Sequence, residues 1–251
     1  MRKVNDWVDA VYVLTVRTFT ERIAHITQEL GKHGIAFELV LAHDPPALDA
    51  GIFGATFAPS DLGPPHQSLV LKHIAAWHAA KRKGRRRILV FEDDALLARD
   101  FGARFEGAMR AAQALEPGWL LYLGGADVKV PASYFLDPGP LIALPIATSE
   151  AYVTDLAAIE KRLAWVARNS ITLRSDHLIR RIDAELGIRQ YWLRPPIVEQ
   201  GSCVGLFASV LDANRQKHSR AYTVLRNRWM KFQRHRLRGW LVKARALFAG
   251  H

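Results

Sequence analysis

Short apolar segments alternate with helical segments through the first half of the 251-residue chain, and this alternation strongly constrains the fold. Residues 11–16 (VYVLTV) are typical of a strand, residues 20–32 have apolar side chains at helical spacing, and residues 37–42 (FELVLA) are strand-like again. A helix, a strand, a second helix and a second strand follow at residues 67–81, 88–91, 99–115 and 119–123. Strands that alternate with helices of this length predict an α/β fold.

The remainder of the chain is less regular. Its predicted elements are a strand, two helices and a short strand at residues 141–146, 156–166, 176–186 and 190–193. Residues 43–65 form a connection rich in proline and glycine that exceeds the usual length, which indicates either a functional loop or disorder.

Composition indicates a globular protein, because 49% of the residues are hydrophobic and a chain of this length can bury one large core. The single cysteine, Cys203, excludes an intrachain disulfide and a thiol-based zinc cluster. The N-terminal segment contains Asp6 and Asp9 and an apolar run of only strand length, so it does not resemble a signal peptide. We therefore expect a cytoplasmic protein that is soluble or bound to a membrane surface.

Charge is concentrated at one end of the chain. Eleven of the 35 Lys and Arg residues lie in residues 213–251, which contain no Asp or Glu, so residues 1–212 carry 24 basic and 24 acidic side chains. This contrast predicts a neutral domain at residues 1–212 and a basic tail at residues 213–251.

Within the tail, residues 222–248 place apolar and aromatic side chains three or four positions apart, with Arg and Lys between them. This pattern predicts an amphipathic helix suited to an anionic membrane surface. Two alternatives are that its apolar side packs on the rest of the protein, or that its cations bind nucleic acid. The second is disfavoured because the chain has no nucleic-acid recognition motif.

Three adjacent acids, Glu92, Asp93 and Asp94, follow the apolar strand ILVF. Ligands of parallel α/β sheets bind beyond the carboxyl ends of the strands. Adjacent carboxylates repel one another, so a hard cation such as Mg²⁺ or Mn²⁺, completed by substrate phosphates, would compensate them. The alternative is that the three acids simply begin the next helix, where the helix dipole favours negative charge.

Motifs in the same order over about residues 10–202 resemble glycosyltransferase family 25, which includes lipooligosaccharide galactosyltransferases and collagen galactosyltransferases. The segment ILVFEDDALL is most similar to the family's central LILEDDVLL, and LKHIAAW is similar to its LSHxxxW helix. The other matching segments are VYVLTVRTFTER, LAHD, TSEAYV, SDHLI and YWLRPPIVEQ. The chain departs from the family at Lys72, where the family has Ser, and at residues 15–17 (TVR), where it has Asn-Leu-Asp.

The resemblance implies a GT-A-type nucleotide-sugar transferase fold, a metal bound by an acidic motif of the DxD kind, and inversion at the anomeric carbon. Typical members use UDP-galactose. The resemblance makes Asp94 the direct metal ligand, and Glu92 either contacts the metal or binds the donor. The residues predicted to bind the donor are Thr15, Arg17, Arg22, Asp44, Glu92 and Asp93.

An inverting transfer also requires a general base. Asp176 matches the family's aspartate and opens a predicted helix, although it could serve only as a helix cap; Glu150 is the reserve candidate. His73 and Trp77 are expected to form a packed, hydrogen-bonded pair. His177 either completes a metal site or is an exposed helix-start residue.

Together these features predict a metal-dependent hexosyltransferase on the cytoplasmic face of a bacterial membrane, with a nucleotide-sugar donor and a glycolipid or oligosaccharide acceptor. The alternative is a non-catalytic, transferase-like binding protein that the basic tail tethers to the membrane.

Overall fold

The computed structural model describes residues 2–45, 56–125, 128–145, 148–207 and 220–249. After a 3₁₀ turn at Val4–Asp6, the strands are β1 (Ala10–Leu14), β2 (Glu38–Val40), β3 (Arg87–Glu92), β4 (Ala95–Leu97), β5 (Trp119–Tyr122), β6 (Leu141–Ala143), β7 (Ala151–Asp155), β8 (Arg189–Leu193) and β9 (Val198–Gln200). The helices are α1 (Thr20–Lys32), α2 (Pro64–Arg82), α3 (Phe101–Ala112), α4 (Ser133–Leu136), α5 (Leu156–Val166), α6 (Ser175–Glu185), α7 (Arg220–Lys231) and α8 (Arg238–Ala249), with a π-helical segment at Phe232–Leu237 between the last two.

Seven strands form one mixed sheet in the order β2-β1-β3-β7-β5-β8-β6. The strands β2, β1 and β3 are parallel to one another, as are β5 and β8, whereas β7 and β6 are antiparallel to their neighbours. β4 and β9 form a separate antiparallel pair. The carboxyl ends of β1 and β3 therefore meet at one edge of the sheet, where ligands of α/β proteins bind.

Helices cover both faces of the sheet, because alternate residues of each buried strand point to opposite sides. On one face Tyr12, Val90 and Tyr152 pack with α2, α5 and α6. On the other face Val13 and Phe91 pack with α1 and α3. This arrangement confirms the predicted α/β class.

The helix predictions at residues 20–32 and 156–166 are confirmed to the residue. The alternative that the three acids begin a helix is wrong: Glu92 ends β3, and the next element is the short strand β4. The sequence pattern also missed β7, which pairs along its whole length with β3.

The predicted C-terminal helix is present as α7, the π-helical segment and α8. The tail positions 227, 231, 235 and 239, which are four residues apart, face the rest of the protein. Asn227 is buried, Lys231 forms an ion pair with Glu199, the His235 ring lies beside Tyr134, and Gly239 is buried against Phe135. The alternative that the apolar side of the tail packs on the body is therefore wrong, since the packed side is polar or small.

Large apolar side chains of the tail remain exposed. In the part of the chain that the structure describes, ten large hydrophobic residues are exposed, and all except Leu136 lie in the tail: Tyr222, Leu225, Trp229, Phe232, Leu237, Trp240, Leu241, Leu247 and Phe248. Among the described helices, none combines the length and the apolar character needed to cross a bilayer. The predicted boundary between residues 212 and 213 lies outside the described residues.

Candidate active site

A cleft with about 620 Å³ of empty space, part of it open to solvent, lies at the carboxyl ends of β1 and β3. In α/β proteins the carboxyl ends of parallel strands are where ligands bind. The cleft is lined by Leu14, Thr15, Val16, Phe19, Arg22, Pro45, Pro65, Ser68, Leu69, Lys72, Glu92, Asp93, Asp94, Gln200 and Ser202. Of the predicted site residues, the fold brings Thr15, Arg22 and the three adjacent acids to this cleft.

Asp93 is neutralised by its neighbours. Thr15 Oγ1 donates a hydrogen bond to Asp93 Oδ2 at 2.7 Å, and Arg22 Nη1 lies 2.9 Å from Asp93 Oδ1. Arg22 reaches this carboxylate from α1, so the pair ties α1 to the end of β3. Both oxygens of Asp93 are thus occupied within the protein.

Asp94 has one satisfied and one unsatisfied oxygen. The backbone N–H of Ser202 donates to Asp94 Oδ2 at 3.0 Å, whereas Asp94 Oδ1 is buried and has no hydrogen-bond partner among the described residues. Burial raises the pKa of this carboxyl group, and the charge of Arg22 opposes that rise. A buried carboxylate oxygen without a partner is costly unless a ligand satisfies it.

Gly201 allows the chain to approach Asp94 closely. Its N–H donates to the Asp94 carbonyl oxygen at 2.7 Å, and a Cβ at this position would lie 2.7 Å from the same oxygen. Any larger residue would push the segment after β9 away from Asp94. The glycine therefore holds Ser202 where its N–H can orient the carboxylate.

The surroundings of Glu92 favour its neutral form. Burial raises its pKa to about 8, with a further contribution from the charge of Asp94. Ser149 Oγ donates to Glu92 Oε1 at 2.7 Å, and Gln200 Nε2 lies 3.5 Å from Oε2. In this form Glu92 is a weaker candidate metal ligand than Asp94.

The two candidate bases lie outside the cleft lining. Asp176 is the second residue of α6, its carboxylate accepts a hydrogen bond from the N–H of His177 at 2.8 Å, and its side chain is about one third exposed. The preceding Ser175 connects through Ser149 to Glu92, with 3.3 Å between the two serine oxygens. Glu150 accepts hydrogen bonds from Thr148 and from the N–H of Gly125.

Asp44 and the backbone of Arg17 take part in hydrogen bonds that hold neighbouring chain segments together. The N–H of Arg17 donates to Asp44 Oδ2 at 3.0 Å, and Lys72 Nζ donates to Asp44 Oδ1 at 2.6 Å and to the carbonyl of Ala42 at 2.7 Å. Asp44 thereby joins the chain after β1, the chain after β2 and helix α2. The Arg17 side chain is exposed and does not line the cleft.

Lys72 is the site residue that sequence reasoning registered only as a departure from the family. It is buried, lines the cleft, and burial lowers its pKa even though the Asp44 carboxylate opposes that change. A lysine on the apolar side of the helix segment LKHIAAW was the available signal, because a buried lysine requires a partner. Nothing in the sequence pattern indicated that Ser149 and Ser202 would contact Glu92 and Asp94.

His73 and Trp77 pack against each other, with ring centroids 6.4 Å apart, and both also contact the hydroxyl of a third residue, Tyr152. Nδ1 of His73 lies 2.9 Å from the Tyr152 hydroxyl oxygen, and Nε1 of Trp77 donates to the same oxygen at 3.1 Å. All three residues are buried on the α2 side of the sheet. Their contacts are structural, and His73 is neutral because burial lowers its pKa to about 3.

The residues present fit a divalent cation bound chiefly through Asp94. The described residues contain no group of three or more His, Cys, Asp or Glu side chains arranged to hold a metal. Mg²⁺, however, commonly uses one or two carboxylates together with substrate phosphates. The unpaired Oδ1 of Asp94 is the oxygen available for such a contact.

A cleft at the carboxyl ends of parallel strands, with paired cations and one unpaired carboxylate oxygen, is typical of α/β proteins that bind phosphorylated ligands. The family is indicated by sequence: residues 8–128 match glycosyltransferase family 25, described as "LPS biosynthesis protein". This match confirms the predicted resemblance over that span and supports the glycosyltransferase class.

Similar curated proteins carry the same family name. The chain is 26% identical over 175 residues to the probable inactive glycosyltransferase 25 family member 3 of Rattus norvegicus, covering 62% of this chain and 30% of the relative. It is 33% identical over 97 residues to the inactive glycosyltransferase 25 family member 3 of Homo sapiens, covering 38% of this chain and 16% of that protein. The matched region thus spans less than one third of either relative.

Two solved transferase structures show a distant similarity to this chain. Mouse xyloside xylosyltransferase 1 in its apo form is 15% identical, with 73% of this chain and 84% of that chain covered and a TM-score of 0.40. A glycosyltransferase that acts in glycosylation of the PBCV-1 major capsid is 11% identical, with 88% and 99% covered and a TM-score of 0.43. These scores are too low to carry an argument about function.

Proposed function

We propose that the protein is a metal-dependent, inverting glycosyltransferase that moves a hexose from a nucleotide sugar to a glycan acceptor. The observation that carries this proposal is the buried, unpaired Oδ1 of Asp94 in the cleft at the carboxyl ends of β1 and β3. The family match over residues 8–128 supports the reaction class. UDP-galactose is the proposed donor because typical members of the family use it.

The cleft has separate groups for the charge of a diphosphate and for the cation. Asp94 and, more weakly, Glu92 would hold Mn²⁺ or Mg²⁺, which when bound supplies a Lewis acid for the departing diphosphate. Arg22 and Lys72 place two cationic side chains in the same cleft, although each is also paired with an aspartate. Asp93 and Thr15 orient Arg22, and Asp44 orients Lys72.

In the proposed reaction an acceptor hydroxyl oxygen forms a bond to the anomeric carbon while the bond from that carbon to the diphosphate breaks. The electron pair of the broken bond leaves with the diphosphate, and the hydroxyl proton passes to a base. Attack from the face opposite the leaving group inverts the anomeric carbon. We assign the base role to Asp176, with Glu150 as the reserve.

The metal assignment is tested by Asp94→Ala. We expect transfer from UDP-galactose to fall by about a hundredfold or more, because charge on the leaving group is no longer stabilised. We also expect loss of the thermal stabilisation that Mn²⁺ and UDP give together. Asp100→Ala, which removes an exposed carboxylate, is the matched control. Undiminished transfer by Asp94→Ala would show that Asp94 is not the metal ligand.

The base assignment is tested by comparing Asp176→Asn with Glu150→Gln. If Asp176 is the base, its variant loses turnover number by about 10²–10⁴-fold with little change in donor KM, whereas the Glu150 variant retains turnover. The opposite result would transfer the role to Glu150. Nearly normal turnover by both variants would remove both from the reaction.

We further propose that the acceptor is a glycolipid and that the tail holds the enzyme on the cytoplasmic face of a bacterial membrane. The support is the exposed apolar side of the tail, which carries four exposed tryptophan or phenylalanine residues, Trp229, Phe232, Trp240 and Phe248. The same segment is rich in Lys and Arg. Anionic lipid surfaces attract such cations by up to about 1 kcal/mol each.

A second candidate function is a non-catalytic, transferase-like binding protein. Two observations favour it: similar curated proteins are named inactive, and residues 15–17 depart from the family pattern beside the donor cleft. A thermal-shift panel of nucleotide sugars with Mn²⁺ separates the candidates. Stabilisation by a donor, followed by its slow hydrolysis or transfer, supports the enzyme, and stabilisation by no donor supports the binding protein.

A further inference from the structure

The start of helix α1 carries three side chains near the proposed donor cleft, which is the cleft at the carboxyl ends of β1 and β3. Phe19, Arg22 and His25 are three positions apart, a spacing that makes side chains of a helix neighbours. Phe19 and Arg22 line the cleft. Arg22 is one of the two cationic side chains there, so the residues that order it should affect the binding of a diphosphate.

The guanidinium group of Arg22 contacts two aromatic rings. Its Cζ atom lies 5.4 Å from the centre of the Phe19 ring and 5.1 Å from the centre of the Phe207 ring. Both distances fall within the roughly 6 Å over which the face of an aromatic ring attracts a cation. Arg22 Nη1 also lies 2.9 Å from Asp93 Oδ1. The Arg22 side chain is therefore ordered by one carboxylate and two rings.

Phe207 belongs to the segment after β9, and a turn in this segment returns the chain to α1. The carbonyl oxygen of Gly201 accepts a hydrogen bond from the N–H of Leu206 at 2.8 Å. The Phe207 ring then packs edge-on against the His25 ring, with 5.2 Å between the ring centroids. His25 Nε2 in turn lies 3.1 Å from the carbonyl oxygen of Ala95. These contacts hold the Phe207 ring against α1.

The same segment also orients the proposed metal ligand. The N–H of Ser202 donates to Asp94 Oδ2 at 3.0 Å, and Phe207 contacts Arg22 five residues later in the chain. Residues 201–207 thus contact both the carboxylate proposed for the cation and a guanidinium proposed for the diphosphate. Phe207 is not one of the described residues that line the cleft, so it would influence a bound diphosphate through Arg22.

We propose that Phe207 is a positioning residue for diphosphate binding and that it acts by ordering the Arg22 guanidinium group. The inference rests on the proposed glycosyltransferase function, because it assigns a residue to the donor site of that reaction. An arginine loses side-chain entropy when it binds a ligand, and an arginine that is already ordered loses less. The ion pair with Asp93 holds the guanidinium group in place, and the two rings restrict its orientation.

Calorimetric titration with UDP in the presence of Mg²⁺ tests the proposal without turnover. We expect Phe207→Leu, which keeps a large apolar side chain but removes the ring, to raise the UDP dissociation constant about fivefold to tenfold. Phe207→Tyr keeps the ring and should remain within about twofold of the wild type. Thermal unfolding without ligand checks that each variant is folded. An unchanged dissociation constant in folded Phe207→Leu would overturn the proposal.

A double-mutant cycle with Arg22→Met separates positioning of Arg22 from a general effect on the cleft. Once Arg22 is replaced, Phe207→Leu should change the UDP dissociation constant by less than about twofold. Phe19→Leu, which removes the other ring, should show the same dependence on Arg22 and provides a second variant if Phe207→Leu does not fold. Weakening by the same factor with and without Arg22 would mean that the ring has only a structural role.

Two further measurements separate this proposal from the proposed sugar transfer. Inorganic pyrophosphate with Mg²⁺ should follow the same cycle as UDP, and transfer from UDP-galactose is measured on the same proteins. If both ligands follow the cycle but no sugar is transferred, the transferase function fails and the positioning role is supported. If sugar is transferred but the wild-type protein binds neither UDP nor pyrophosphate, or Phe207→Leu leaves the donor KM unchanged, the positioning role is overturned and the transferase function stands.

Discussion

Two buried tyrosines of the same sheet, on β1 and β7, differ in the hydrogen bonds of their hydroxyl groups. The Tyr152 hydroxyl contacts Nδ1 of His73 and accepts a hydrogen bond from Trp77, whereas the Tyr12 hydroxyl is buried with no hydrogen-bond partner in the described residues. Both side chains lie on the same face of the sheet. Removal of one oxygen atom from each therefore tests what the α2 contacts contribute to stability.

We expect Tyr152→Phe to lower the free energy of unfolding by about 1–3 kcal/mol, because it leaves the Trp77 N–H and the His73 ring buried without a partner. Tyr12→Phe should be neutral or slightly stabilising, since it removes a buried hydroxyl that has no partner. Urea unfolding of the two variants and the wild type measures the difference. Equal destabilisation by both would mean that the Tyr152 contacts contribute nothing specific.

The positions of the acidic site residues were predictable from the sequence, but the environment of each carboxylate was not. Glu92, Asp93 and Asp94 were identified because like charges at a strand end require compensation, and the motif resemblance strengthened that interpretation. Their different environments were not predictable: Asp93 is paired with Thr15 and Arg22, whereas burial raises the pKa of Glu92. Such differences depend on contacts between residues far apart in sequence, such as Arg22 and Asp93, which are 71 positions apart.

Among the secondary-structure elements, helices with clear apolar spacing were predicted most closely. Strands β4, β7 and β9 were missed because each is short and lies beside residues that also suit loops. β4 matters for function, since it follows Asp94 directly and pairs with β9, which precedes Gly201 and Ser202. The missed pair therefore orients the proposed metal ligand.

Glu29 fixes β4 from helix α1 and should make stability depend on pH. Its Oε1 accepts a hydrogen bond from the buried N–H of Leu97 at 3.0 Å, and Lys32 Nζ lies 2.6 Å from Oε2. Burial alone would raise the pKa of Glu29, but the hydrogen bonds with Lys32 and Leu97 outweigh this effect. The pKa of Glu29 in the folded protein is therefore below its ordinary value. The stabilisation is thus present above the pKa of the unfolded chain and is lost as pH falls through the folded pKa.

We expect Glu29→Gln to lower the free energy of unfolding by about 1 kcal/mol at pH 7, because the hydrogen bond to Leu97 loses its charged acceptor. The difference from wild type should shrink as pH falls below the ordinary pKa of a glutamate. Urea unfolding at several pH values between 7 and 3 measures it. Glu160→Gln, at an exposed position of α5, is the control, and a Glu29 effect that is constant over this range would refute the linkage.

At the scale of the whole molecule, charge and apolar exposure coincide on the tail. Residues 213–251 account for the full net charge of +11, and the tail also contributes nine of the ten exposed large apolar residues described. The sequence predicted this amphipathic helix, but it could not show which side would pack on the body. The reason is that the packed positions 227, 231, 235 and 239 are polar or small and carry no apolar signal.

The membrane proposal predicts salt-sensitive binding to anionic vesicles. We expect the 251-residue chain to sediment with vesicles containing phosphatidylglycerol, to bind less at high salt, and to bind neutral phosphatidylcholine vesicles weakly. Replacement of Trp240, Leu247 and Phe248 by Ser should weaken binding by tenfold or more, as about 1.4 kcal/mol corresponds to each factor of ten. Replacement of Leu136 alone, the exposed apolar residue outside the tail, should have less effect.

The place of β7 between β3 and β5 also determines when the protein can fold during synthesis. The strands β1, β2 and β3 reach β5 and β8 only through β7, whose residues follow β5 by about 30 positions in the chain. A nascent chain that ends soon after residue 128 therefore contains the whole matched family region but lacks the strand that joins the two parts of the sheet. Such a chain exposes the edges of β3 and β5, so ribosome-bound intermediates of this length should remain sensitive to protease until residue 155 has emerged from the ribosome.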